Sequence, residues 1–123
     1  MRIPRVYADT SVFGGVFDEE FQVPSTRFFD QVRSGRFVLV TSTLVREEIQ
    51  TAPAHVQGFF DEVTDTAELI VMSDGAVRLQ TAYVNAGVVT ERSTADALHV
   101  ALASVAGCGL IVSWNFRHIV NYR

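Results

Sequence analysis

Three observations predict an α/β fold for this chain, a three-layer α/β/α sandwich around a central parallel sheet. Short apolar runs recur along the sequence: Val6-Tyr7-Ala8, Phe37-Val38-Leu39-Val40, Leu69-Ile70-Val71-Met72 and Leu110-Ile111-Val112. They are apolar at consecutive positions rather than alternate ones, the pattern of strands covered on both faces. Stretches with helical spacing separate them, and such crossovers join parallel neighbours.

Taken in order, the first run ends at Asp9 and is followed by a segment rich in Gly and Phe, read as a turn. Pro24 and Ser25 open a helical pattern with Phe28, Phe29 and Val32 on one side, and Gly35 stands where that helix stops. After the second strand, Ser42 or Thr43 caps a helix that starts near Leu44 and runs to about Thr51, before Pro53 breaks or restarts it. A further helical stretch carries Phe59, Phe60 and Val63. Ser73-Asp74-Gly75 leads into a helix with Val77, Leu79 and Tyr83, ending at Gly87. Ser93 begins a helix through Ala106 that is apolar on nearly every side and is therefore expected to be deeply packed. A short helix is expected at the C-terminus.

The 123 residues suit a single domain spanning 1–123, with no linker or repeat and no room for a closing C-terminal strand. Hydrophobic residues make up 48% and charged residues 20%, far from the composition of a disordered segment. No apolar run is long enough to cross a bilayer and the N-terminus has no export pattern, so a cytoplasmic protein without membrane contact is expected. The single cysteine, Cys108, excludes an internal disulfide and a Cys-based zinc cluster. The net charge of −4 argues against broad electrostatic capture of nucleic acid, leaving room for a local patch. All 10 basic residues are arginine, which excludes any mechanism that needs a lysine. The nine phenylalanines suggest more apolar surface than one small core absorbs, and a homodimer is the expectation that follows.

In open parallel sheets ligands collect beyond the carboxyl ends of the strands, which directs attention to the polar residues there. Asp9 directly follows the first strand, with the hydroxyls of Thr10 and Ser11 beside it; it can serve a site or cap the next turn. In the helix after strand two, Glu48 stacks with Leu44, Val45 and Ala52 on the side facing protein, whereas Glu47 neighbours Thr43, Gln50 and Thr51 and is solvated. A carboxylate on an apolar face needs a partner, either an arginine or a cation. Asp96 lies in the first turn of the buried helix, where Ser93-x-x-Asp96 also fits a capping box. His99 follows one turn later, as a hydrogen-bonded core residue or an accessory ligand. Strand four ends in Ser113-Trp114-Asn115, adding a hydroxyl and an amide that can also cap a helix. Oxygen donors without cysteine favour magnesium or manganese over zinc. Carboxylates held close together are expected to raise the pKa of at least one of them.

These motifs resemble the PIN-domain family, whose members include the VapC-type toxins of type II toxin-antitoxin systems. Val6-Tyr7-Ala8-Asp9-Thr10-Ser11 is similar to the family's strand closing on Asp, and Ser42 with Glu48 to its Ser followed six residues later by Glu. Thr94-Ala95-Asp96-Ala97-Leu98-His99 resembles its buried helix opening with Asp-Ala-Leu, and Ser113-Trp114-Asn115 its last strand ending in Thr-x-Asp or Thr-x-Asn. The Ser-Trp-Asn-Phe run resembles one subgroup. The resemblance implies a Mg2+- or Mn2+-dependent endoribonuclease acting on single-stranded RNA, with Asp9, Glu48, Asp96 and Asn115 as catalytic metal ligands and Thr10, Ser11, His99 and Ser113 as accessories. It also implies homodimerisation and inhibition by an antitoxin peptide in the groove. Many relatives carry an acid where Asn115 stands, and an amide adds no full charge to a cation site. The alternative is therefore a PIN-fold protein that binds RNA or a protein partner without cutting. Rival folds fit less well: a receiver domain needs a lysine, a haloacid-dehalogenase-like phosphatase needs Asp-x-Asp where the chain has Asp9-Thr10-Ser11, and no Gly-x-x-x-x-Gly-Lys loop is present.

Overall fold

The computed structural model describes residues 3–86 and 94–114, excepting the side chains of residues 83 and 94–96. Val6, Tyr7 and Ala8 are almost fully buried, as a strand covered on both faces must be. They form β1 (Arg5–Ala8), which pairs in parallel with β2 (Val38–Ser42) on one side and β4 (Leu110–Val112) on the other. Beyond β2 lies β3 (Glu68–Ile70), giving the order β3-β2-β1-β4. Tyr7 stands opposite Val40 and Ile111 in this register.

The first two crossovers step one way along the sheet, and the third returns past β1 to its far side. Right-handed crossovers then place the two sets of helices on opposite faces. The first set comprises α1 (Thr10–Gly15), α2 (Gln22–Arg33), α3 (Thr43–Ile49) and α4 (Ala54–Thr64). Phe13, Phe28, Phe29 and Phe60 form its buried aromatic core, with ring centroids 5.3 Å apart for Phe13–Phe29 and 5.0 Å for Phe13–Phe60. The second set is α5 (Asp74–Asn85) packed on α6 (Thr94–Val105), whose Ala97, Leu98, Ala101, Leu102 and Ala103 are buried. The expected α/β architecture is therefore the one found.

Details differ from the sequence reading for physical reasons. The Gly- and Phe-rich segment after Asp9 is a short helix rather than a turn, held by the Asp9 cap and by burial of Val12, Phe13 and Gly15. The third strand is shifted towards the N-terminus, because its pairing with β2 begins at Glu68 and Val71 is already exposed. Most of the described phenylalanines are internal, so the supposed aromatic surplus is largely absorbed by the core. The predicted end of α5 at Gly87, the Ser93 start of α6, Asn115 and the C-terminal helix lie outside the described residues. Among the described residues no helix is long and apolar enough to cross a membrane.

Candidate functional site

The strands all run parallel and the order of their connection along the sheet reverses at β1, where the crevice beyond the strand ends collects the polar residues that close the strands. Asp9 follows β1, Ser42 closes β2, and Ser113 follows β4. All three are buried. Asp9 does cap α1, accepting from the Ser11 backbone N–H at 3.0 Å. The cap does not exhaust it. Oδ1 also accepts from the Ser11 hydroxyl at 2.6 Å, and Oδ2 accepts from the Ser113 hydroxyl. Ser11 in turn accepts from the Trp114 backbone N–H at 2.9 Å, which ties the end of β4 to α1.

Ser42 caps α3 through the Val45 N–H, and this sets the phase of the helix. Glu47 then faces solvent and Glu48 is half-buried, in agreement with the helix-face reading. Thr10 donates its hydroxyl to Glu48 Oε1 at 2.7 Å. His99 Nε2 lies 2.8 Å from the same oxygen, and His99 Nδ1 lies 2.7 Å from the Tyr7 hydroxyl. Glu48 has no arginine partner among the described residues: Arg5 pairs with Glu68, and Arg33 with Asp30 and Glu62. Burial works against charge on Glu48, yet the hydrogen bonds from His99 and Thr10, with the proximity of His99, outweigh it and hold the carboxyl below its ordinary range. The raised carboxylate pKa expected from like-charge crowding is thus not found at Glu48.

Asp96 occupies the third position of α6, three residues before His99. Because α6 turns back through Gly107, at φ +74°, into β4, its first turn lies at the edge where the strands end. The Asp96 side chain and Asn115 lie outside the described residues. Among the described residues no group of three or more His, Cys, Asp or Glu side chains forms a cation cage. The donors present near Asp9 and Glu48 are carboxylate and hydroxyl oxygens, the chemistry that suits a hard divalent cation. His99 has both ring nitrogens committed to protein, which makes it a hydrogen-bonded core residue.

Tyr7 and Ser42 are the residues the sequence reading missed as part of this network. A tyrosine between Val6 and Ala8 in a buried strand, two positions before Asp9 and so on its face of the sheet, needs a partner for its buried hydroxyl. That was the available signal. Burial pushes the Tyr7 hydroxyl far above its ordinary value, with help from Asp9 and Glu48 and only partial opposition from the Ser42 hydrogen bond. Beside Thr10 and Ser11 opens a groove of about 470 Å³, walled by Phe17, Phe21, Pro53, His55, Val56 and Trp114.

No family model and no curated protein matches the chain. Solved structures do. The chain is similar to VapBC2 from Rickettsia felis, solved bound to a DNA fragment from its promoter, with a TM-score of 0.64 at 15% identity over 94% of this chain and 93% of that one. It is also similar to the Mycobacterium tuberculosis toxin VapC20, described as cleaving the sarcin-ricin loop, with a TM-score of 0.68 at 12% identity over 90% of each chain. At this level of identity the likeness is one of fold, and the α/β fold of this chain is the one those VapC structures share.

Proposed function

We propose that the chain is a metal-dependent endoribonuclease of the VapC toxin type, hydrolysing phosphodiester bonds in single-stranded RNA. One observation carries the proposal: Asp9 and Glu48 come from separate crossovers and are linked through Thr10 at the carboxyl edge of the sheet, in a fold shared with an RNA-cleaving toxin. Asp9 and Glu48, with Asp96 and Asn115, would hold Mg2+ or Mn2+. Such a cation, when bound, orients a water and offsets charge on the phosphate. The protein's own part is positional. Ser11 and Ser113 fix both oxygens of Asp9, and Thr10 fixes Glu48, so neither carboxylate has to be ordered when substrate arrives.

The proposal includes an antitoxin segment in the groove between Thr10 and Trp114, and a homodimer that rests on the family resemblance alone. Light scattering at micromolar concentration tests the dimer, and a monomer ends that part. The activity is tested by incubating purified protein with single-stranded RNA in Mg2+, in Mn2+ and with chelator. Cleavage that needs the metal and disappears in Asp9→Asn is expected. Intact RNA with either metal would favour a PIN-fold protein that binds without cutting.

A further inference from the structure

His99 is 4% exposed, and the hydrogen bonds around it have only one consistent direction. The Glu48 carboxylate can only accept, so the hydrogen of this contact sits on His99 Nε2. At the other ring nitrogen the partner is the Tyr7 hydroxyl, which also lies 2.8 Å from Ser42 Oγ. Ser42 Oγ already accepts from the Val45 N–H at 3.2 Å. If Tyr7 donates to Nδ1, the Ser42 hydroxyl donates to the Tyr7 oxygen, and each hydrogen in the run from Ser42 to Tyr7 to His99 to Glu48 finds one acceptor. If Nδ1 instead donated, Tyr7 would have to donate to Ser42. The fully buried Ser42 hydroxyl would then lack an acceptor among the described residues, which is costly in a protein interior.

We infer that Ser42, Tyr7 and His99 form a one-way hydrogen-bond run that fixes His99 as its Nε2–H tautomer and thereby positions Glu48. The inference rests on the proposed role of Glu48 as a cation-holding carboxylate. Both described hydrogen bonds of Glu48 fall on Oε1, which leaves Oε2 without a partner among the described residues. The run therefore anchors one oxygen of a half-exposed, flexible side chain and presents the other. His99 is a positioning residue here, acting on a bound cation through Glu48 in the way that partners of ligating carboxylates do elsewhere. The sequence supports the same division of labour: Ser42 caps the helix that carries Glu48, so one hydroxyl sets both the helix phase and the far end of the run.

Imidazole 15N shifts of the metal-free wild type test the tautomer without any substitution. A protonated Nε2 and an unprotonated Nδ1 are expected; an Nδ1–H ring or an exchanging mixture overturns the inference. His99→Gln keeps an amide donor near the place of Nε2, whereas His99→Asn keeps one only near Nδ1. Mn2+ binding followed by electron paramagnetic resonance should weaken about 10- to 100-fold in His99→Asn, and His99→Gln should recover most of the loss. Equal Mn2+ affinity in both variants and the wild type overturns the positioning role. If the wild type neither binds Mn2+ nor cuts RNA, the ribonuclease reading fails by itself. Glu48 side-chain couplings then decide the inference: a single rotamer in the wild type that becomes averaged in His99→Asn supports it, and an unaveraged Glu48 in that variant refutes it.

Discussion

Thr10 and Glu48 meet through one hydrogen bond of 2.7 Å between residues 38 positions apart, and Thr10 is the residue that follows Asp9. Asp9 at the end of β1 and Glu48 on α3 are thereby set at a fixed relation before any ligand is present. Thr10→Val preserves shape and removes the donor. A hydrogen bond to a charged acceptor stabilises by about 1.5–3 kcal/mol when both groups are well buried; Glu48 is half-exposed and water can replace the hydroxyl, so a loss of about 1 kcal/mol is expected in denaturant titrations. The Glu48 pKa, followed by carbon NMR, should rise in the variant. An unchanged value would mean that the bond does not form in solution.

Acid titration of stability tests the environment of Glu48. Its carboxyl lies below its ordinary value in the folded chain. The stabilisation linked to it is therefore present above the unfolded carboxylate pKa, near about 4.3, and is lost as pH falls through the folded value. Glu48→Gln should flatten this part of the stability curve. A variant that retains the full acid dependence of the wild type assigns it to other carboxylates.

Tyr7 gives the opposite limb. Its folded pKa is raised, so its contribution is present below the unfolded value of about 10 and is lost as pH rises from there towards the folded value. Tyr7 should resist ionisation at about pH 11 in the native protein, read as a resistant fraction of the phenolate absorbance. Tyr7→Phe should remove the resistant fraction. A resistant fraction that is absent from the wild type, or unchanged in Tyr7→Phe, would place Tyr7 in contact with water.

Asp96→Asn separates a helix cap from a cation ligand. As a cap alone, the change costs about 1 kcal/mol or less and leaves any Mg2+-dependent rise in Tm intact. As a ligand, it abolishes that rise and RNA cleavage together, and can raise the Tm of the metal-free protein by relieving repulsion. The second pattern is expected, and a variant that keeps the wild-type Mg2+ shift would remove Asp96 from the site.

Gly15 admits no side chain. A Cβ there would meet the Ser25 hydroxyl and lie 2.7 Å from Trp114 Nε1, the two groups that bond to each other across α1. Gly15→Ala should cost about 1–3 kcal/mol through overpacking and break the Trp114–Ser25 bond. A chemical denaturation curve equal to that of the wild type would show that α1 can shift to accommodate the methyl.

The central strands β1 and β2 were legible because both-face burial writes itself as consecutive apolar residues, Val6-Tyr7-Ala8 being the clearest case, whereas the apolar runs of β3 and β4 lie at the sheet edges with Leu69 and Leu110 exposed. The helix at Thr10–Gly15 was not legible: its two glycines and short length read as a turn, and only the Asp9 cap with tertiary burial of Val12 and Phe13 holds it. Glu48 could be told from Glu47 by helical phase alone. The link from Thr10 to Glu48 could not, since it depends on how two crossovers pack. Tyr7 was hidden by its position, because a tyrosine inside a strand looks like core until the partners of its hydroxyl are known.

Trp114 is the only tryptophan in the chain, stacked parallel on Phe21 with centroids 5.5 Å apart, and its backbone N–H bonds the same Ser11 hydroxyl that holds Asp9. The protein therefore carries a built-in optical reporter one hydrogen bond away from its candidate site. The Ser11 hydroxyl donates to Asp9 and accepts from the Trp114 backbone N–H, so any shift of that hydroxyl is passed to the indole-bearing residue. If a cation is held at Asp9, intrinsic emission excited without labelling or substitution should change on addition of Mg2+ or Mn2+ to the folded protein, and a spectrum unchanged by either metal counts against that site.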